Sequence, residues 1–314
     1  MSNNNQQKNL QSQPHLGLVC ITTSKQVRYR TITRKRLLQM TLEEQAERLH
    51  ALYTENLARL NLAIDFCLDN AINLYRMTSG LFPFADTEMG AEILTEFTDE
   101  LQTTGNRATE NKLRLVLHPD QFVVLSSDRP QVIENSIKIL AMHARIMDLL
   151  AQPKSPWALL NIHGGKSDRA EKLIATIRAL PDNIRSRLTL ENDEYAYSSE
   201  DILAVCREAK IPMVFDAHHH IVNQKLDSYD HESVAEMLAA ARTTWANPEH
   251  QLVHISNGKE AFGDQRHSDL ITNMPSSYKN APWIEVEAKL KEEAIFKLRE
   301  EWLPKLSNRE LVTA

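Results

Sequence analysis

The chain has 314 residues, of which 42% are hydrophobic, and a formal net charge of −6. This length suits one α/β barrel of about 250 residues or two smaller domains. The negative charge argues mildly against a polyanion-binding protein. It does not exclude one, because bound divalent ions make a pocket positive whatever the global charge. The three cysteines lack CxxC spacing, which excludes a zinc ribbon and a disulfide framework and predicts buried, reduced thiols.

The polar ends of the chain lack the pattern of a targeting segment. Residues 1–14 have neither the basic start nor the apolar stretch of a signal peptide, so we interpret them as a disordered polar tail. Residues 302–314 are interpreted as a C-terminal tail. No apolar run approaches the roughly 20 residues of a membrane helix. We therefore expect a reduced, cytoplasmic protein with no membrane partner.

From Leu16 onward, short apolar runs typical of strands buried on both faces alternate with longer helical patterns. We predict strands at 16–21, 72–76, 113–117, 157–162, 187–191, 212–216, 251–255 and 283–287. We predict helices at about 41–69, 88–104, 131–150, 168–180, 199–209, 231–242 and 288–301. Thr41–Glu44 and Ser198–Asp201 resemble capping boxes. This alternation predicts an α/β fold, a single (β/α)8 TIM barrel over 15–301, with a doubly wound open sheet as the alternative.

Eight acidic or imidazole side chains lie at or just beyond the ends of predicted strands, and six of them follow a short apolar run. They are His118, His163, Glu191, Asp216, His219, His254, His267 and Glu287. Parallel α/β folds place their chemistry at the carboxyl ends of the strands. His, Asp and Glu without Cys favour Zn²⁺, Mn²⁺ or Fe²⁺ over a thiolate site. The pattern predicts a metal centre at one rim of the barrel.

The strongest local pattern is DAHHH, in which Asp216 closes a strand and His219 follows three residues later, within reach of the same ion. At most two of the three adjacent imidazoles face one centre, so we assign His220 to contacts behind the metal ligands or with nucleic acid. We expect the nearby Asn223 to order this loop or to contact nucleic acid. Taken singly, the other motifs have plainer interpretations. His118 suits a loop cap, and His267 suits a loop salt link to Arg266.

Several rim residues have the chemistry of nucleic-acid contacts. Gln121 and Phe122 pair an amide with an aromatic ring, which suits stacking on a base, although Phe after a turn is more often core. Arg76 at the end of a strand suits phosphate contacts or an ion pair with a barrel carboxylate. The basic segment 25–36, KQVRYRTITRKR, interleaves Tyr29 and suits a nucleic-acid backbone, although charge runs are usually solvated faces.

Eight segments, taken in order, closely resemble the UV damage endonuclease (UvdE) family of endonuclease IV-like, metal-dependent TIM barrels. They are LGLVCITT, LYRMTSGLFPF, LHPDQFVVLSS, LNIHGG, LTLENDE, VFDAHHHIVN, LVHIS and VEAK, spanning Leu16 to Lys289. The resemblance implies a DNA repair enzyme that nicks UV-damaged double-stranded DNA immediately 5′ of pyrimidine dimers and 6-4 photoproducts without ATP. It also implies a cytoplasmic, nucleoid-associated protein, which we expect to be a monomer.

Carried across position by position, the resemblance makes the eight rim residues ligands of two or three divalent ions, with Mn²⁺ the family's usual choice and Zn²⁺ the alternative. Glu191, Glu287 and His254 would carry the catalysis, and Gln121 and Phe122 would push into the duplex beside the lesion. The chain departs from the family pattern at four positions. Other members can carry Tyr in place of Leu18, His in place of Gly80, Tyr in place of Phe122 and Lys in place of Leu252.

Two other functions use the same kind of rim. A sugar isomerase or epimerase barrel carries similar acidic and imidazole side chains but has no need of the basic segment 25–36. A metal-loaded protein that binds lesions without turnover is the non-enzymatic alternative. The absence of GxGxxG, GxxxxGK[ST] and GxSxG patterns excludes the usual nucleotide-cofactor and serine-hydrolase interpretations.

Overall fold

Eight parallel strands close into a barrel in sequence order, with the last strand paired to the first. The computed structural model describes residues 13–119, 122–304 and 306. The strands are β1 His15–Val19, β2 Leu74–Met77, β3 Arg114–Leu117, β4 Leu160–His163, β5 Leu188–Glu191, β6 Met213–Asp216, β7 Leu252–Ile255 and β8 Trp283–Val286. The predicted (β/α)8 barrel is confirmed. The tails expected at 1–14 and 302–314 fall mostly outside the described residues.

Helices surround the barrel and cover its outer face. They are α1 Arg34–Leu37, α2 Leu42–Asp69, α3 Glu88–Glu96, α4 Thr98–Glu110, α5 Pro130–Leu149, α6 Ala170–Ala179, α7 Asp182–Arg185, α8 Ser199–Ala209, α9 Ala217–Gln224, α10 Glu232–Arg242 and α11 Lys291–Glu301. Both predicted capping boxes are present, at the starts of α2 and α8. The helix expected over 88–104 is two helices meeting at Phe97, and the short helices α1, α7 and α9 were not predicted. Within the described residues, no helix is both long and apolar enough to cross a membrane.

The strand register decides which side chains enter the barrel. Neighbouring partners in a parallel pair share a face, and successive residues alternate between faces. Glu191 is the partner of His163, and His254 is the partner of both Asp216 and Glu285. These side chains therefore share the inner face at the carboxyl end of the barrel, where barrels of this kind place their chemistry.

A buried arginine closes the opposite, amino-terminal end. Arg114, at the start of β3, is fully buried, and its guanidinium lies against the rings of Trp157, Trp245 and Trp283. Its donors reach three backbone carbonyls at 2.8–3.0 Å, those of Trp157, His250 and Pro156. Because carbonyl oxygens and aromatic faces surround it, the buried charge is accommodated by dipoles and π-systems. This end of the barrel holds the fold together and is separate from the rim.

Candidate metal centre

Glu191, the last residue of β5, is the centre of the rim cluster. It is 1% exposed, and imidazoles approach it from three other strands or strand ends. His118 Nε2 lies 3.3 Å from Oε2, His254 Nδ1 lies 3.0 Å from Oε1, and His163 Nε2 lies 4.0 Å from Oε2. The sequence placed these four residues at one rim, and the structure brings them together.

Asn161 supports Glu191 from inside the barrel. Its side-chain amide donates to Glu191 Oε2 over 2.6 Å, and its carbonyl oxygen accepts from the Thr189 hydroxyl over 2.8 Å. The Thr189 bond sets the orientation of the amide, which in turn positions the carboxylate. Sequence reasoning missed this residue, although its position two before His163 in β4 places both on the inner face.

A second group of ligand types forms where β6 passes into α9. Asp216 caps the helix by accepting the backbone N–H groups of His218 and His219, at 2.7 and 2.9 Å, through Oδ1. Its other oxygen, Oδ2, is buried and has no hydrogen-bond partner among the residues that the structure describes. His219 donates from Nδ1 to the carbonyl of Asn192 over 2.9 Å, which makes Nε2 the nitrogen that can bind a metal. DAHHH therefore starts a helix, where the sequence suggested a loop.

Arg76 pairs with carboxylates inside the barrel instead of facing outward. Its Nη1 donates to Glu285 over 2.8 Å and also to Glu287. The expectation of a phosphate contact is therefore corrected to the ion-pair alternative, because two acidic side chains, on β8 and just after it, compensate the buried charge. Glu285 was not singled out from the sequence, although the alternation in WIEVE puts it on the face of Glu287.

His254 and His267 approach this carboxylate pair from β7 and from the connection that follows it. His254 Nδ1 lies 3.2 Å from Glu287 Oε1, and its Nε2 lies 3.0 Å from Glu285 Oε2. His267 Nδ1 is 3.8 Å from Glu287 Oε2, and a backbone bridge between His267 and Gly258 fixes its loop. His267 is thus on the margin of the cluster, about one-third exposed, while His254 is at its core.

The charges of the cluster suit cation binding. Burial alone raises the pKa of Glu191, but the imidazoles of His254 and His163 outweigh it and hold that pKa well below its usual range. Burial lowers the pKa of His163, which favours the neutral imidazole that metals bind. Burial also acts to lower the pKa of His219, but Asp216, Glu191 and Glu194 raise it to about 9. The Glu191 carboxylate is therefore ionised, which suits it to bind a cation.

The residues present fit divalent ions. Three groups of residues could each hold an ion, because within each group the potential ligand atoms lie within 4.8 Å of one another. The groups are His118–His163–Glu191, Glu191–Asp216–His219 and His254–Glu285–Glu287, and the first two share Glu191. Two atoms that belong to residues of these groups, Asp216 Oδ2 and His163 Nδ1, are buried without a hydrogen-bond partner in the part of the chain that the structure describes. Buried ligand atoms of this kind are costly unless something binds them. In the third group, Arg76 already supplies a positive charge.

The residues expected to touch DNA are dispersed. Phe122 projects from the loop after β3 with 70% of its surface exposed. Gln121 lies outside the described residues. The Tyr29 hydroxyl is 2.6 Å from that of Tyr75, and its half-buried ring packs on the core. Tyr29 therefore anchors its segment to β2, which corrects its assignment to nucleic-acid contact.

His220 and Asn223 both bond neighbouring elements of the fold. His220 is 1% exposed, and its ring nitrogens bond Ser199 at 2.9 Å and Ser233 at 3.0 Å. It links α9 to α8 and α10, so its assignment to DNA contact is corrected. The Asn223 amide donates to the carbonyl of Glu194 over 3.3 Å and ties α9 to the loop after β5.

The positions that depart from the family pattern differ in their surroundings. Leu18 is fully buried on the outer face of β1, within the main hydrophobic core. Leu252 is fully buried in the apolar layer that includes Trp245 and Trp283, below His254. Gly80 is exposed, and its nearest neighbour to a side chain would be Thr78 Oγ1 at 4.0 Å. Of these three positions, only Gly80 has open space in which a rim side chain would fit.

Comparison with known proteins points to one family. The model of the UV-endonuclease UvdE family matches residues 14–313. The chain is 59% identical over 294 residues to the UV DNA damage endonuclease of Nostoc sp., a match that covers 93% of this chain and 91% of that protein. It is 48% identical over 289 residues to the UV DNA damage endonuclease of Deinococcus radiodurans, covering 91% of this chain and 95% of the other.

Solved structures agree in fold. The crystal structure of SacUVDE matches with a TM-score of 0.77 at 26% identity, covering 91% of this chain and 98% of that one. The endonuclease IV of Thermus thermophilus matches with a TM-score of 0.57 at 14% identity, covering 94% and 100% of the two chains. A D-tagatose 3-epimerase-like protein has the same TM-score at 10% identity, covering 94% and 99%. The last two likenesses show the barrel fold alone.

Proposed function

Since the chain belongs to the UV-endonuclease UvdE family and is a DNA-cleaving repair enzyme, we propose that it nicks the phosphodiester bond immediately 5′ of cyclobutane pyrimidine dimers and 6-4 photoproducts. The nick would start excision repair without ATP, at the nucleoid. Family membership decides against the sugar epimerase and the non-catalytic alternatives. One barrel carries the whole ligand set, so we propose a monomer as the working unit.

The observation that carries this proposal is the convergence of ligand-type side chains from six successive strand ends, β3 to β8, on the inner face around Glu191. We propose that two or three ions, Mn²⁺ by preference, are held by His118, His163, Glu191, Asp216, His219, His254, His267 and Glu287. Glu191 belongs to two of the ligand groups and would bridge two ions. Bound ions would polarise the phosphoryl oxygens and lower the pKa of a coordinated water.

The chain's own residues set up that chemistry. Asn161 holds Glu191, and Asp216 is fixed by the first turn of α9. Glu191 and Glu287 are ionised and would orient the attacking water as proton acceptors. Each of these carboxylates is oriented by an amide, a helix terminus or a guanidinium, so little reorganisation is needed when the scissile phosphate arrives.

Lesion selection would come from deformability. The exposed ring of Phe122, with the neighbouring Gln121, is proposed to enter the duplex beside the damage. A dimer already weakens stacking, so kinking or flipping there costs a few kcal/mol less than in intact DNA. An apolar wedge therefore senses damage without reading sequence.

The basic segment 25–36 is proposed to hold the DNA backbone. Its path is fixed at its start and in its middle. At the start, the Ser24 N–H donates to the buried Glu292 carboxylate over 2.8 Å. The Arg30 backbone N–H and C=O both bond the buried Asn56 side chain, at 2.8 and 2.9 Å. Among the described residues, no carboxylate makes an ion pair with five exposed cations of this segment: Lys25, Arg28, Arg34, Lys35 and Arg36. A fixed row of uncompensated charge suits phosphates.

A duplex with one cyclobutane dimer at a defined position and a label at the 5′ end tests the cleavage site. With Mn²⁺ and no ATP, the expected product is a single labelled strand that ends at the nucleotide immediately 5′ of the dimer. Cleavage 3′ of the dimer, scattered cleavage or a requirement for ATP would refute the proposed reaction. The matched undamaged duplex is the control.

A further inference from the structure

We propose that Glu194 is an additional ligand of the ion held by Asp216 and His219, acting from the solvent side. This inference rests on the proposed metal-dependent function. Glu194 lies in the loop after β5, three residues beyond Glu191, and its side chain is 18% exposed. No strand-end pattern points to it, because it belongs to the loop and not to the strand.

One ring nitrogen of His219 faces this carboxylate. The hydrogen bond from Nδ1 to the Asn192 carbonyl requires the proton on Nδ1, so Nε2 is the nitrogen available to a cation. Glu194 Oε1 lies 3.5 Å from Nε2. Asp216 lies in the same group of ligand atoms as His219, and its buried Oδ2 has no hydrogen-bond partner within the described chain. The His219 imidazole thus has one carboxylate, Asp216, in its ligand group and a second carboxylate, Glu194, facing its Nε2.

The separation suits two ligands of one ion better than a direct bond. Nitrogen and oxygen ligands about 2.0–2.2 Å from a metal lie roughly 3.0–3.5 Å from each other at octahedral or tetrahedral angles. A strong N–H···O hydrogen bond is shorter, at about 2.7–3.2 Å. At 3.5 Å, Glu194 and His219 leave room for a cation to bind both.

The loop that carries Glu194 is held in place by its own bonds. The Asp193 N–H donates to the Tyr197 carbonyl over 3.0 Å, and the Asp193 carboxylate accepts the Tyr195 N–H over 2.8 Å. The Glu194 carbonyl accepts the Asn223 amide, which joins the loop to α9. Because α9 also carries His219, Glu194 and His219 are fixed relative to each other. Asn223 would therefore act as a positioning residue for the metal site.

The test is Mn²⁺ binding to Glu194→Gln, measured by equilibrium dialysis with metal analysis and by the electron paramagnetic resonance signal of free Mn²⁺. Asp227→Asn removes an exposed carboxylate from the α9–α10 loop and serves as the matched control. We expect Glu194→Gln to weaken one class of site by about 10-fold or more, with the control unchanged and the thermal transitions of both variants like that of the original chain.

The possible outcomes distinguish failure of the Glu194 assignment from failure of the proposed metal-dependent function. Glu194→Gln could bind Mn²⁺ with wild-type affinity and stoichiometry while Glu191→Gln clearly loses Mn²⁺. That result would overturn the role of Glu194 and would still support the metal centre. Failure of the unaltered chain to bind Mn²⁺, Zn²⁺ or Fe²⁺ would overturn both. Weaker binding in the control as well would mean a nonspecific effect of surface charge, which would also contradict the assignment.

Discussion

The carboxylate of Glu285 lies 3.0 Å from Nε2 of His254, at the end of the ring opposite Nδ1. Since Nδ1 faces Glu191, Glu285 is placed to orient the imidazole from behind, as carboxylates do behind metal-binding histidines. Glu285 is itself held by Arg76. This arrangement extends the site inward, beyond the residues that would bind the ions.

Replacing Glu285 with Gln should lower Mn²⁺ affinity or nicking rate by about 10- to 100-fold, because the His254 ring loses its charged support. Mn²⁺ titration and initial rates on a dimer-containing duplex measure the two effects. Wild-type values for both would show that Glu285 serves only to balance the charge of Arg76.

Replacing Glu191 with Gln should abolish detectable nicking and weaken metal binding, because this carboxylate belongs to two ligand groups. Binding to a damaged duplex, measured by gel mobility shift with chelator present, should remain within about twofold if affinity comes mostly from phosphate contacts. Loss of both nicking and DNA binding would indicate that the variant is misfolded, which a thermal melt would reveal.

Replacing Phe122 with Ala should leave stability within about 0.5 kcal/mol, since the ring is 70% exposed. Affinity for the damaged duplex should fall by about 10-fold or more, because stacking on a base contributes about 1–3 kcal/mol. Phe122→Trp should retain binding. Leu62→Ala, which truncates an exposed apolar side chain on α2, is the control. Equal binding by Phe122→Ala and the control would exclude a wedge at this position.

Replacing Arg34 and Arg36 with Gln should reduce the salt dependence of DNA binding. Each lost phosphate contact lowers the slope of log K against log salt by about 0.9, so the double variant should lose up to about 1.8. Lys138→Gln with Arg207→Gln removes two exposed cations from helices α5 and α8 and should leave the slope unchanged. Equal slopes for the two double variants would place segment 25–36 away from the backbone.

Replacing Arg114 with Met should cost about 3–5 kcal/mol of folding free energy, because three partly buried backbone carbonyls lose their donors. Arg114→Lys should recover little of the loss, since an ammonium cannot reproduce the planar donor set. Denaturant unfolding measures both. The nicking rate per folded molecule should stay unchanged, and a selective loss of that rate would contradict the separation of the two barrel ends.

The sequence predicts those features of the fold and the site that depend on residues close together in the chain. Strand positions and the metal rim follow from apolar runs that end in His, Asp or Glu, and the structure places these runs in one barrel. Glu285 and Asn161 were also open to prediction, because each lies two residues from a singled-out neighbour on the same face. The particular partners of Arg76 and Arg114 were not, although an ion pair with a barrel carboxylate was one interpretation of Arg76. These partners lie 209 residues away for Glu285 and 136 residues away for His250, so only the closed barrel reveals them.

The same limit explains the corrections among the residues that were expected to contact DNA. Exposure distinguishes Phe122 from Tyr29, but no local pattern shows that the Tyr29 hydroxyl meets Tyr75 on β2. His220 differs from His219 by one position, and the helix that starts at Asp216 turns its ring toward α8 and α10. A run of three histidines identifies a site without telling which ring enters it.

The most direct test of the central claim compares UV-irradiated with untreated supercoiled plasmid in Mn²⁺, with and without chelator. We expect relaxation of the irradiated plasmid alone, abolished by the chelator and by Glu191→Gln. An irradiated plasmid that stays supercoiled with folded, metal-replete protein would contradict the claim, as would equal nicking of undamaged DNA.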